Sequence, residues 1–171
     1  MAAERLTGLA AVSQPDAQVL VLGSMPGAAS LKQQQYYGHP RNLFWPILSE
    51  LCGFSLEQSY PARLAALQQH RIALWDVLQH CERQGSLDSA IRNETPNDFN
   101  LFLQQHPKIR LIAFNGRKAE QSFRRLVLPS LPRDLPCELL CLPSTSPANA
   151  SMSPASRLEI WFQLRDQLDN S

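Results

Sequence analysis

Four short apolar runs constrain this chain more than any other feature. They are Val19-Leu20-Val21-Leu22, Ile72-Ala73-Leu74-Trp75, Leu111-Ile112-Ala113-Phe114 and Leu139-Leu140-Cys141-Leu142. Each is continuous rather than alternating, so no position is set aside for a wet face. Strands buried on both faces of a parallel sheet read this way. The gaps between successive runs all exceed 20 residues, enough for a crossover helix each time. Phe44, Ile47, Leu48 and Leu51 fall on one helical face between the first two runs, and Ala119, Phe123, Leu126 and Val127 do so between the last two. Asp98 to His106 is expected to be a further helix, stopped by Pro107. Ser153-Pro154 is an N-cap and N1 pair for a last helix that places Leu158, Trp161, Phe162 and Leu168 near one face. The prediction is an α/β fold with three layers, α/β/α, around a central four-stranded, mostly parallel sheet. With 171 residues, no internal repeat and no linker, residues 1–171 are expected to form a single domain with its core at about 17–168.

Composition excludes several classes. At 44% hydrophobic and 18% charged residues, the chain buries a core rather than staying disordered. No apolar stretch reaches the roughly 18 residues of a membrane helix, and Met1–Val12 lacks the apolar heart of a signal peptide. A cytoplasmic monomer is the expectation. Cys52, Cys81, Cys137 and Cys141 form no CxxC pair. They are read as small buried hydrophobes rather than disulfides or iron–sulfur ligands, so neither metal nor cofactor is expected.

The predicted sheet makes a functional statement of its own. Ligands of open α/β sheets bind beyond the carboxyl ends of the strands. The residues there are Gly23-Ser24-Met25-Pro26-Gly27, Asp76, Asn115-Gly116 and Pro143-Ser144-Thr145-Ser146-Pro147. Any one of these segments is an ordinary turn. Together they make tight loops with exposed backbone N–H groups, suited to phosphates and polar ring edges. Asp76 is read as capping the next turn, with positioning of a water as the alternative.

The stretch from Gly23 to Trp45 carries the most chemistry. Tyr36 and Tyr37 offer flat faces for a base, and extruded bases are held between aromatic or apolar side chains. Asn42 carries an amide that both donates and accepts. On pattern alone it is an N-cap for the Leu43–Leu51 segment. His39 is either structural or a phosphate contact, and it has no partners at metal-ligand spacing.

This stretch resembles the first motif of the uracil-DNA glycosylase superfamily. The loop reads Gly23-Ser24-Met25-Pro26-Gly27, and Tyr37-Gly38-His39-Pro40-Arg41-Asn42-Leu43-Phe44-Trp45 follows. Leu142-Pro143-Ser144-Thr145-Ser146 is similar to the superfamily's last motif, and Asn115-Gly116-Arg117-Lys118 resembles its turn after the third strand. In the mismatch-specific group an Asn precedes the loop proline and is catalytic; here that position is Met25, a thioether that cannot orient water. The chain therefore resembles the hypoxanthine-DNA glycosylase branch, in which the catalytic Asn sits in the His-Pro-Arg-Asn segment. The resemblance implies that Asn42 is catalytic, moving it from cap towards catalyst. It implies that Gly23, Ser24, Met25, Pro26, Tyr37 and Phe44 hold the base. It assigns DNA contacts to His39, Arg41, Asn115, Gly116, Arg117, Lys118, Ser144, Thr145, Ser146 and Asn149, with the 144–149 segment also filling the gap left in the duplex.

The implied reaction is hydrolysis of an N-glycosidic bond in DNA carrying a deaminated base, hypoxanthine favoured and uracil possible. Backbone N–H groups of the Gly23–Gly27 loop would stabilise the departing base, and Asn42 would place water at the sugar carbon. Lys32 and Lys118 are the amines to weigh for a Schiff-base lyase; a monofunctional enzyme is expected. Within the fold the rival is a uracil or G:U mismatch glycosylase. Outside it, the rival is a non-catalytic domain that binds damaged DNA. The net charge of only +1 suits neither a coat protein nor an acidic tail. It hides a local excess: between His106 and Arg125, six cations (Lys108, Arg110, Arg117, Lys118, Arg124, Arg125) meet one acid, Glu120, so this window is +5 and the remainder −4. Such a patch is expected to grip a few phosphates.

Overall fold

The computed structural model describes residues 5–169. Each apolar run is a strand. In chain order these are β2 (Val19–Gly23), β3 (Ile72–Asp76), β6 (Leu111–Asn115) and β7 (Glu138–Leu142). They form one sheet in the order β3-β2-β6-β7, and every pairing is parallel. All five residues of β2 and of β6 are buried, as continuous runs require of central strands. Register aligns the carboxyl ends: Gly23 lies opposite Asp76, Leu22 opposite Phe114, and Asn115 opposite Leu142. The loops that follow therefore open on one edge.

Alternation along the strands divides the core into two layers. Leu20, Leu22, Ile112 and Phe114 meet Phe99 and Phe102 of α4 (Phe99–Gln105) and Ala119 of α5 (Arg117–Ser122). Val19, Val21, Leu111 and Ala113 meet α2 (Phe44–Cys52), Leu67 of α3 (Tyr60–Gln69) and Trp161 of α6 (Pro154–Trp161). This is the expected α/β/α layering. The predicted Ser153 cap forms, accepting the N–H of Ser156, and Asp98 also caps its helix, accepting that of Leu101.

Some elements differ from expectation. A second, antiparallel sheet joins β1 (Arg5–Thr7), β4 (Leu78–Glu82) and β5 (Arg92–Pro96), in the order β1-β4-β5. Its strands read RLT, LQHCE and RNETP, with too few apolar residues for a periodicity signal. Only Val77 separates β3 from β4, so the main sheet passes almost directly into the second. The segment read as one helix over 119–127 is α5 followed by a π-helical turn, Phe123–Val127. The C-terminal segment is likewise two helices, α6 and α7 (Gln163–Asp169). A short α1 (Ala28–Gln33) follows the first loop. Among the described residues no helix is long and apolar enough to cross a membrane. The four cysteines are free; Cys81 is buried and the others half-buried, and burial pushes the Cys52 thiol up to about 12.

Candidate active site

A cavity of about 420 Å³ opens at the carboxyl ends of the strands. Its lining draws on Gly23–Ser30, Tyr37, His39, Asn42, Asp76, Asn115 and the 144–149 loop, so the separate strand-end loops do converge. The floor is built around Gly23. A Cβ there would lie 2.5 Å from Asp76 Oδ1 and 3.3 Å from Tyr37 Oη, so only glycine allows both groups to reach this point. In the following loop the carbonyls are engaged: Gly23 accepts from the Val77 N–H, Ser24 from that of Leu78, and Pro26 from the guanidinium of Arg83. The N–H groups of Ser24, Met25 and Gly27 have no protein partner among the described residues. Met25 is itself buried and packs into the core.

The two tyrosines take different parts. Tyr36 is buried, and its hydroxyl donates to the carbonyl of Ala10 at 2.8 Å. Tyr37 borders the cavity with its backbone in the left-handed region, φ 55°. For a non-glycine residue that costs about 1–2 kcal/mol, and such strain persists where the surroundings over-determine it. Phe44 does so here. It stacks on Tyr37 at 3.9 Å between centroids and 17° between planes, and is itself fully buried. Phe44 was expected to touch the base; instead it backs the ring that borders the cavity.

Asn42 stands at the wall, half-buried. Leu43 occupies the N-cap position of α2, not Asn42. The Asn42 side chain still serves the helix start, because Oδ1 accepts the Phe44 N–H at 2.9 Å. That uses one lone pair and leaves the other, together with both Nδ2 donors, for a guest. His39 borders the cavity nearby, and its Nδ1 accepts the Arg41 N–H. The side chain of Arg41 is exposed and outside the lining.

The 144–149 loop is braced from within. Asn115 and Thr145 exchange two hydrogen bonds of 2.9 Å, and both residues are buried. They were expected on DNA; they are a clamp between strand-end loops. The N–H of Leu43 donates to the Thr145 carbonyl, which ties the loop to α2. Buried Arg157 donates to the carbonyls of Ser144 and Ser146, and Asn149 donates back to that of Ser144. Gly116 was also expected on DNA. A Cβ there would come within 3.1 Å of Ser144 Cβ, so it is a close-packing glycine.

Three of the six cations of the basic cluster are held in ion pairs among the described residues. Glu94 on β5 binds Lys118 at 2.9 Å and also pairs with Arg125, while Arg124 pairs with Glu120. Burial alone would raise the Glu94 carboxyl, but Lys118, Ser122 and Arg125 pull it below its ordinary value. Lys118 therefore braces β5 against α5 rather than standing free for phosphate. Arg117 is exposed and lies outside the cavity lining, as does Lys32. One wall had no sequence signal at all. Residues 86–89 line the same cavity as the 144–149 loop. Ser86 Oγ accepts the Ala28 N–H, and the Ser24 hydroxyl donates to Asp88 at 2.6 Å.

The parallel α/β/α sheet, with a braced aromatic and an amide at its strand ends, fits the class of base-excising proteins that the sequence motifs resemble, and comparison with known proteins agrees. Residues 10–165 match the model of the Uracil DNA glycosylase superfamily. The chain belongs to that family. It is 41% identical over 147 residues to a protein of Methanosarcina acetivorans named hypoxanthine DNA glycosylase, covering 85% of this chain and 89% of that one. A protein of the same name from Methanosarcina barkeri is 39% identical over 113 residues, covering 66% and 72%. A solution NMR structure of a Methanosarcina acetivorans protein, described there as a candidate uracil DNA glycosylase, superposes with a TM-score of 0.83 at 38% identity, covering 98% of this chain and all of that one.

Proposed function

We propose that this chain is a monofunctional DNA glycosylase that extrudes a deaminated base, hypoxanthine first, and hydrolyses its N-glycosidic bond to leave an abasic site. The observation that carries the reading is Tyr37, strained, backed by Phe44 and set beside the Asn42 amide at one cavity. The cavity volume lies within the roughly 300–1,000 Å³ of small-molecule sites, and a base seated against Tyr37 extends the Phe44–Tyr37 stack. Asn42 holds water through Nδ2 and the spare lone pair of Oδ1. The unpaired N–H groups of the Gly23–Gly27 loop meet the charge that develops on the departing base, as preorganised dipoles do. An amide is a poor base, so the rate rests on placement and leaving-group stabilisation. Neither Lys32 nor Lys118 borders the cavity, which favours hydrolysis over a lyase step.

The test is a panel of duplexes carrying hypoxanthine, xanthine or uracil, assayed for base release and for strand cleavage. Hypoxanthine is expected to be released fastest, with strand breaks appearing only after alkali. Release of uracil alone would make this a uracil-type enzyme. Tight binding of abasic DNA without release of any base would make it a non-catalytic binder.

The duplex side of the reading has its own residue. The 144–149 loop, expected to fill the gap left by the base, carries no large apolar side chain; its exposed members are Pro147 and Ala148. Leu87, on the wall segment that lines the same cavity, is 57% exposed. Apolar wedges enter base steps in many DNA-bending proteins, and Leu87 is placed to hold the stack open. Leu87→Ala is expected to slow single-turnover release from fully paired duplex about tenfold, the order of one lost leucine contact. Release from single-stranded DNA should stay within about twofold. Equal slowing on both substrates would remove the wedge role.

A further inference from the structure

Asp76 is a buried acid that the reaction as described leaves without a task. It ends β3 at the cavity floor and is 4% exposed. Its Oδ1 packs against Gly23, and its Oδ2 has no hydrogen-bond partner among the described residues. No turn is capped by this carboxyl, so the structural role expected from sequence is absent. Beside it Tyr37 Oη also reaches Gly23 and is also unpartnered. Two buried polar atoms without partners are costly in a folded protein. Burial without a partner favours the protonated, neutral carboxyl over its anion.

The surroundings decide the charge state. From the wall segment Asp88 acts on Asp76, and so does Arg83, just past β4; Arg83 donates to the carbonyls of Pro26 and Gly85, keeps its buried Nη1 without a partner among the described residues, and forms no ion pair with Asp76. Tyr36 and Tyr37 approach from the segment before α2, and burial pushes both phenols up, so neither supplies charge. Burial above all, then the Asp88 carboxylate, pushes Asp76 up to about 7, with Arg83 opposing.

We infer that Asp76 works as a neutral carboxylic acid that donates a hydrogen bond to an acceptor on the extruded base and passes its proton to that base as the glycosidic bond breaks. This rests on the glycosylase reading and deepens it. The C–N bond breaks with its electron pair going to the base, which takes the proton from Asp76 and leaves neutral. Water forms the new C–O bond at the sugar carbon and releases a proton, which restores the acid. A group of this kind needs a pKa near the working pH.

The experiment measures single-turnover release from deoxyinosine duplex against pH for wild type, Asp76→Asn and Asp76→Ala. The wild-type rate is expected to fall tenfold per pH unit above about 7. Asp76→Asn keeps a donor but no transferable proton. It should run about tenfold slower than wild type at low pH, with a flat profile on the same substrate. Asp76→Ala should lose about a hundredfold. Melting of the free protein gives a second readout, independent of any activity. Because folding raises this pKa, its stabilising contribution is complete below about 4 and is lost as pH rises through about 7. The melting temperature of wild type relative to Asp76→Asn should therefore fall over that interval. A rate that rises through neutral pH, with Asp76→Asn inactive, would make Asp76 an ionised base and overturn the inference. So would Asp76→Ala within twofold of wild type at every pH. A wild type that releases no base would instead overturn the glycosylase reading, while the melting comparison would still report the charge state.

Discussion

Asn42→Ala is expected to lower single-turnover base release from deoxyinosine duplex by about a hundred- to a thousandfold, the usual loss when one preorganised polar group is removed from a reacting centre. The same side chain accepts the Phe44 N–H at the start of α2. Its removal should therefore also cost about 1 kcal/mol of stability, as other helix-start acceptors do. The two effects separate in Asn42→Ser. A serine hydroxyl still accepts from the helix start, so the melting temperature should stay near that of wild type, but there is no amide to hold water and the rate should fall nearly as far as in the alanine variant. Wild-type release by either variant would remove Asn42 from the chemistry. Parallel loss of rate and stability in Asn42→Ala, with full rescue of both by serine, would make it a helix-start residue and nothing more.

The dual use of Asn42 shows where sequence reasoning reaches its limit. The four strands were legible because a strand buried on both faces leaves a continuous apolar run, as in VLVLG of β2 and LIAFN of β6. The place of the cavity followed from that sheet. The roles of individual residues there did not follow, because partners distant in sequence set them. Asn115 and Thr145 have the residue types of phosphate contacts, yet each satisfies the other across 30 positions. Lys118 and Arg125 sit in a basic run, but the acid that holds both is Glu94, on a strand too polar to leave a pattern. The wall at 86–89 is fastened to Ala28 and Ser24, 58 and 64 residues away. Asp76 was set aside as a turn residue because its partnerless burial is a property of the assembled floor. What survived best was the first motif, whose aromatic, histidine and amide lie within a few residues of one another, so that local sequence is also local structure.

The coupling between that motif and the core makes Phe44→Ala the variant with the largest expected effect on stability. Phe44 is fully buried and meets Tyr37 face to face, with Trp45 and Trp161 edge-on at 5.0 and 6.2 Å. Truncating a phenylalanine in such a place costs about 3–5 kcal/mol. In a domain of this size that lowers the melting temperature by roughly 10 °C. Activity should fall for a separate reason. Tyr37 is held in a left-handed conformation that disfavours it by about 1–2 kcal/mol, and the Phe44 ring is what covers its back. Without that ring Tyr37 can relax, and the surface against which a base stacks is lost. Leu67→Ala provides the control, since Leu67 is equally buried in the same core layer but on α3, outside the cavity lining. It should lower the melting temperature by an overlapping amount, about 2–5 kcal/mol in stability, with no change in release rate well below melting. Phe44→Ala at the same temperature should be slowed at least tenfold on deoxyinosine duplex, about the worth of one aromatic stacking contact. If both variants melt early and both retain the wild-type rate, Phe44 is core alone and the strained Tyr37 needs no brace.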